Sequence, residues 1–161
     1  MIITRLLPIA ALLLAAQGAH AATCQLAVEA NDMMQFSTKR LEVDATCDQV
    51  RLTLKHTGSS PATVMGHNWV LVRSSDMGAV ANAALRAGRE HQYQPPADAR
   101  VLAFTPMVGG GETATITFDT AALRSGETYS FFCSTPGHNA VMRGTFIVNG
   151  GPSRLAADAR R

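Results

Sequence analysis

Three stretches of the chain alternate apolar and polar residues at every step. In the first, Val50, Leu52, Leu54 and His56 fall on one side and Arg51, Thr53 and Lys55 on the other. Ala114, Ile116 and Phe118 alternate with Thr113, Thr115 and Thr117, and Tyr129, Phe131 and Cys133 alternate with Thr128, Ser130 and Phe132. A period of two is the signature of a strand with one buried face, and a helix cannot satisfy it. Gly- and Ser-containing breaks at 57–60, 109–111 and 125–126 separate the stretches, which predicts an all-β fold of the antiparallel sandwich or barrel kind. One segment departs from the pattern. Met77, Val80, Ala81, Ala84 and Leu85 recur at helical spacing, with Ser74, Ser75 and Asp76 as a capping run and Gly88 as a stop, which predicts one amphipathic helix over 75–87.

The ends read differently. Arg5 precedes a short apolar run, Leu6 to Ala16, and Ala19-His20-Ala21 has the small-x-small pattern of a cleavage site, so residues 1–21 read as a signal peptide. The run is too short to span a bilayer, which needs about 20 apolar residues. Residues 22–149 then form one domain, and 150–161, with three Arg and little that could be buried, read as a flexible tail. Between Ala22 and Asn149 there are 10 basic and 11 acidic side chains, and no basic stripe suggests nucleic acid. Export places the protein in an oxidising compartment, here the periplasm, with no membrane insertion. Three cysteines allow one disulfide and one free thiol, with three formal pairings. Cys24 and Cys47 flank the first strand-like stretch and Cys133 sits elsewhere, so Cys24–Cys47 is the expected bridge, worth about 3 kcal/mol by loop closure.

Chemistry concentrates near the C-terminus. Cys133, His138 and Met142 lie within ten residues around the Pro136-Gly137 bend, and His67 stands upstream in Val64-Met65-Gly66-His67-Asn68-Trp69. Thiolate and thioether suit Cu(I), and imidazole suits both copper oxidation states. Taken singly, Cys133 could be an inert buried thiol, His138 a solvated loop residue, Met142 a core filler and His67 a satisfied core histidine. Their joint spacing points to a metal, with His67, Cys133 and His138 in a plane and Met142 and the Gly66 carbonyl at weak range on either side. Asn68 is placed to tie the two ligand loops together, and a backbone N–H on the Cys133 sulfur would tune the metal. His56 is expected to be a buried core histidine and His91, in a polar run, a solvated one.

At these residues the chain resembles the azurins, bacterial cupredoxins, from Cys24 to about Asn149. Shared landmarks are Asn31-Asp32 with Met34-Gln35-Phe36, the run from Val64 to Val70, and Phe131-Phe132-Cys133 through Pro136-Gly137-His138 to Met142. The three-residue gap between His138 and Met142 is similar to azurin, where plastocyanin-like relatives have four. The resemblance implies a type 1 blue-copper site cycling between Cu(II) and Cu(I), the Cys24–Cys47 disulfide, and a buried Trp69. It also implies a Greek-key sandwich of about eight strands with one external helix. It further implies a monomeric one-electron carrier rather than an enzyme, since the ligand set leaves no open position for substrate. The expected partners are periplasmic redox proteins such as c-type cytochromes or copper and haem reductases. They would dock on an apolar patch of Met34, Val64, Met65, Pro136, Gly137 and Val141 around His138. Three positions depart from the azurin pattern. Thr135 stands where a bulky aromatic is frequent, Phe104 where a surface His is found, and Ser60 where Leu is common. A copper-binding or delivery protein without redox turnover, a redox-silent interaction module and a zinc protein are the competing readings.

Overall fold

A computed structural model describes residues 21–150. The expected signal peptide, as far as His20, and the expected tail beyond Gly150 lie outside the described residues. Among the described residues, nine strands form two sheets. The first sheet orders β2 (Gln35–Phe36), β1 (Thr23–Asn31), β4 (Gln49–His56) and β7 (Thr113–Asp119). The second orders β3 (Arg40–Asp44), β9 (Arg143–Asn149), β8 (Tyr129–Phe132), β5 (Val70–Arg73) and β6 (Val101–Phe104). The short β2 is the strand beyond the eight expected. The sheets are not purely antiparallel as the turn spacing suggested. β1 runs parallel to β4 and β3 parallel to β9. Each parallel pair is joined by chain that crosses to the other sheet and returns, so the local alternation, which is blind to strand direction, could not reveal it.

The expected inward faces fill the core. Val50, Leu52, Leu54 and His56 are fully buried, as are Phe131 and Cys133, and Tyr129 nearly so. Trp69 lies among Phe118, Phe131 and Phe146, with ring centroids 6.0, 5.9 and 6.3 Å away. Its Nε1 is the one buried side-chain polar atom without a hydrogen-bond partner among the described residues. Cys24 and Cys47 are bridged, with Cα atoms 5.7 Å apart. The bridge ties the start of β1 to the loop entering β4, beside its parallel partner.

The helix α2 spans Met77–Ala87. Ser74–Asp76 make a 3-10 turn instead of a side-chain cap. Gly88 stops the helix as expected, at φ 76° with its N–H on the Ala84 carbonyl, a left-handed position that suits glycine. Val80 and Ala84 are buried, but Leu85, assigned to the same stripe, is 57% exposed. The helix meets the sheet through a narrow face: Val80 packs with Val70, Val72 and Phe132 in a second, smaller core. The segment 69–72 therefore buries both of its faces, Trp69 and Leu71 in the main core and Val70 and Val72 under the helix. A one-turn helix, α1 (Ala62–Met65), precedes Gly66 and has no periodicity from which it could be foreseen.

Candidate metal centre

His67 enters the site from an irregular stretch between α1 and β5. It is held there by a two-bond bridge: its N–H donates to the Val108 carbonyl at 3.0 Å and its carbonyl accepts from the Val108 N–H at 2.8 Å. The Trp69 N–H donates to the Thr105 hydroxyl at 3.0 Å, which fixes the same stretch two residues on. Cys133 directly follows β8. The chain then folds back through Gly137, at φ 80°. The His138 carbonyl accepts from the N–H groups of Val141 (3.0 Å) and Met142 (2.7 Å), and the Cys133 N–H donates to the Met142 carbonyl at 3.0 Å. This last bond closes the base of the loop just before β9.

These elements bring three donor atoms to one point. Cys133 Sγ lies 3.8 Å from His67 Nδ1 and 3.7 Å from His138 Nδ1, and the two Nδ1 atoms are 3.2 Å apart. A point equidistant from all three falls about 2.1 Å from each, a bonding distance for a transition metal held by His and Cys. Among the described residues this is the group of His, Cys, Asp and Glu able to hold a metal ion. His67 and Cys133 are fully buried and His138 is 7% exposed. The Asn31 carbonyl lies 2.9 Å from His67 Nε2 and can only accept, so the proton sits on Nε2 and the Nδ1 lone pair faces the centre. Burial lowers the His67 pKa to about 4, against the opposing hydrogen bond to the Asn31 carbonyl, and lowers that of His138. Both rings are therefore neutral at neutral pH, as metal ligands must be. Burial raises the pKa of the Cys133 thiol, while the backbone N–H of Asn68 and groups of Thr135 work to lower it. A bound cation would override that balance and hold a thiolate.

Asn68 ties the loops as expected. Its Oδ1 accepts from the Ser134 N–H at 2.8 Å and its Nδ2 donates to the Ser134 hydroxyl at 2.7 Å. The sequence reading missed Gln94, whose amide also donates to that hydroxyl at 3.1 Å. No sequence signal links a glutamine so far away to this loop. His56 is a satisfied core histidine: Nδ1 accepts from the Gly58 N–H at 3.0 Å and Nε2 donates to the Met65 carbonyl at 3.0 Å. Its ring stacks on His67 at 4.8 Å, with the Asp32 carboxylate 3.7 Å from Nε2. His91 is exposed.

Met142 is fully buried directly after the loop. Gly66 needs its missing side chain for a reason other than metal approach alone: a Cβ there would fall 2.3 Å from the Ala62 carbonyl oxygen and 2.9 Å from Met107 Sδ. Of the apolar patch, Met34, Val64, Pro136, Gly137 and Val141 are exposed and Met65 half-buried. Met33, not singled out in the sequence, is 69% exposed beside them. A cleft of about 420 Å³ joins Val64, Gly66, Thr135, Pro136 and His138.

The family model described as copper binding proteins, plastocyanin/azurin family, matches residues 22–149. The chain belongs to this family. Azurin of Bordetella pertussis is 50% identical over 125 residues, covering 78% of this chain and 83% of its own length. Azurin of Pseudomonas aeruginosa is 44% identical over 128 residues, covering 80% and 86%. Among solved structures, the azurin Az-iso2 of the obligate methylotroph Methylomonas sp. strain J superposes with a TM-score of 0.76 at 42% identity. That match covers 79% of this chain and 98% of the other. The azurin-like fold and the copper cofactor expected from the sequence agree with these relatives, and the buried Cys and two His residues supply a donor set that fits copper.

Proposed function

We propose that the chain is a one-electron carrier of the periplasm, built as a single cupredoxin domain over 22–149 after removal of residues 1–21, with 150–161 as an appended tail. Bound copper would supply the Cu(II)/Cu(I) couple. His67, Cys133 and His138 would hold it, with Met142 and the Gly66 carbonyl as weaker donors. The observation that carries this reading is the donor triangle of His67, Cys133 and His138, closed and buried. Each member is anchored by bonds that do not involve the metal: His67 by Asn31 and Val108, Cys133 by the Met142 carbonyl, His138 by the Thr135 carbonyl, and the two loops by Asn68. Ligands fixed in this way cannot rearrange when the charge changes, which keeps the cost of each electron transfer low. A closed, buried set also offers a substrate no open position, which argues for a carrier over an enzyme.

His138 borders both the donor triangle and the cleft, so its imidazole is the natural exit for the electron. Met34, Val64, Met65, Pro136, Gly137 and Val141 would form the apolar face on which a monomer meets partners such as c-type cytochromes or copper and haem reductases. Redox encounters of this kind bury little area, under about 1,200 Å², and so remain brief.

The test is copper loading followed by repeated reduction and reoxidation with a one-electron reagent. The expected result is an intense visible charge-transfer band that bleaches and returns at one electron per copper, with the metal retained. A colourless loaded protein, or copper lost on reduction as a delivery protein would release it, overturns the proposal.

A further inference from the structure

Thr135, one of the departures from the azurin pattern, puts a hydroxyl next to the metal centre. Its Oγ1 donates to the Gly66 carbonyl oxygen at 2.8 Å. Met107 Sδ lies 3.6 Å from the same hydroxyl and is the weaker acceptor. Thr135 also works to lower the pKa of the Cys133 thiol, against the larger effect of burial. A hydroxyl carries one proton, and the carbonyl at hydrogen-bond distance takes it. The residue is half-buried at the wall of the cleft, where a large aromatic ring could make no such bond.

We propose that the Thr135 hydroxyl is a positioning group that holds the Gly66 carbonyl away from full donation to copper and so raises the reduction potential of this chain. The inference rests on Gly66 being an axial donor, as argued above. The physical step is short. Oxygen donors favour the harder Cu(II) over Cu(I). A carbonyl that accepts a hydrogen bond has less electron density to offer and is pinned in place. The oxidised state therefore loses more than the reduced one, and reduction becomes easier. The chain at Gly66 lies close to its neighbours, since a Cβ there would fall 2.3 Å from the Ala62 carbonyl oxygen and 2.9 Å from Met107 Sδ.

The experiment compares the native chain with Thr135→Val, which keeps the shape and removes the proton, and Thr135→Ser, which restores it. Potentiometry of the copper forms reads the function. A bond of ordinary net strength, about 1 kcal/mol, corresponds to about a fivefold change in the Cu(II)/Cu(I) affinity ratio. With one electron that is a fall of about 40 mV in Thr135→Val, reversed in Thr135→Ser. A second reading needs no metal. Glycine labelled with ¹³C at the carbonyl, combined with ¹⁵N-histidine, isolates the Gly66 and Gly137 carbonyls, the glycines followed by His in this sequence. In the apoprotein the Gly66 resonance should move upfield in Thr135→Val and return in Thr135→Ser, with Gly137 unmoved.

An unmoved Gly66 resonance, or equal potentials in the native and Val forms, overturns the proposal. So does a fall in potential in Thr135→Val with Gly66 unmoved, which would assign the effect to the Cys133 sulfur. Failure of the copper reading itself is separate, because it would appear as a missing charge-transfer band in all three proteins while the carbonyl shift remained readable.

Discussion

Replacing Asn68 by Ala tests whether the two ligand loops are held by one amide. Asn68 is fully buried and makes two good hydrogen bonds to Ser134, one to its N–H at 2.8 Å and one to its hydroxyl at 2.7 Å. Two such bonds are worth about 1 kcal/mol each net. Truncation also leaves the Ser134 N–H, in a residue 5% exposed, without its acceptor, at a further cost of about 1–3 kcal/mol. The hydroxyl is spared, because Gln94 still donates to it. The expected loss is about 3–5 kcal/mol. With a urea dependence of about 2 kcal/mol per molar for a domain of this size, the unfolding midpoint of the apoprotein should fall by about 1.5–2.5 M. Ser134→Ala should cost about 2 kcal/mol, since it removes the bonds that the hydroxyl accepts from Asn68 and Gln94 but orphans no backbone group. In the double variant the two costs should fall short of their sum, as expected of groups that share a bond. A loss of under about 0.5 kcal/mol for Asn68→Ala, the size of an ordinary surface substitution, would refute the idea that this amide joins the loops.

The remaining predictions concern the same end of the molecule. His67 has a folded pKa of about 4 against an ordinary 6.5, so between these values the unfolded chain binds more protons than the folded one. Stability of the apoprotein from this group is present above pH 6.5 and lost as pH falls towards 4, up to about 3 kcal/mol in all. Urea unfolding at successive pH values checks it, and a flat profile would contradict it. Gly66→Ala should destabilise the apoprotein by about 1–3 kcal/mol in the same assay, because the new methyl group meets a backbone oxygen at 2.3 Å that cannot swing aside. Met65→Lys should slow electron exchange with a redox partner, measured by stopped flow, and leave the visible spectrum intact. Unchanged exchange would remove Met65 from the docking face.

Much of this was legible in the residues. Alternation in 50–56 and 129–133 identified core faces that the structure buries, because side-chain period two has no other economical use. The spacing of Cys133 and His138 around a Pro-Gly bend was legible because a metal needs its donors on a short, stiff turn. Strand direction was not legible: a parallel neighbour is chosen by the path of the connecting chain, not by which residues face inward. Leu85 was misassigned because a helical stripe read from sequence is wider than the strip the sheet actually covers. The Asn31 carbonyl and Gln94 escaped notice because a backbone oxygen has no letter in the sequence, and a polar side chain brought in by a distant loop leaves no spacing to detect.

The stretch 69–72 is clamped between two unequal compartments, a broad aromatic one and a thin one beneath the helix. A substitution there has no quiet side on which to vent its change in volume, so either neighbour must deform. That stretch begins two residues after His67, and any deformation would be transmitted along a taut backbone to the imidazole. Divergence within this lineage should therefore accumulate on the helix exterior and the sheet margins, while these four positions exchange only for shapes of nearly equal bulk.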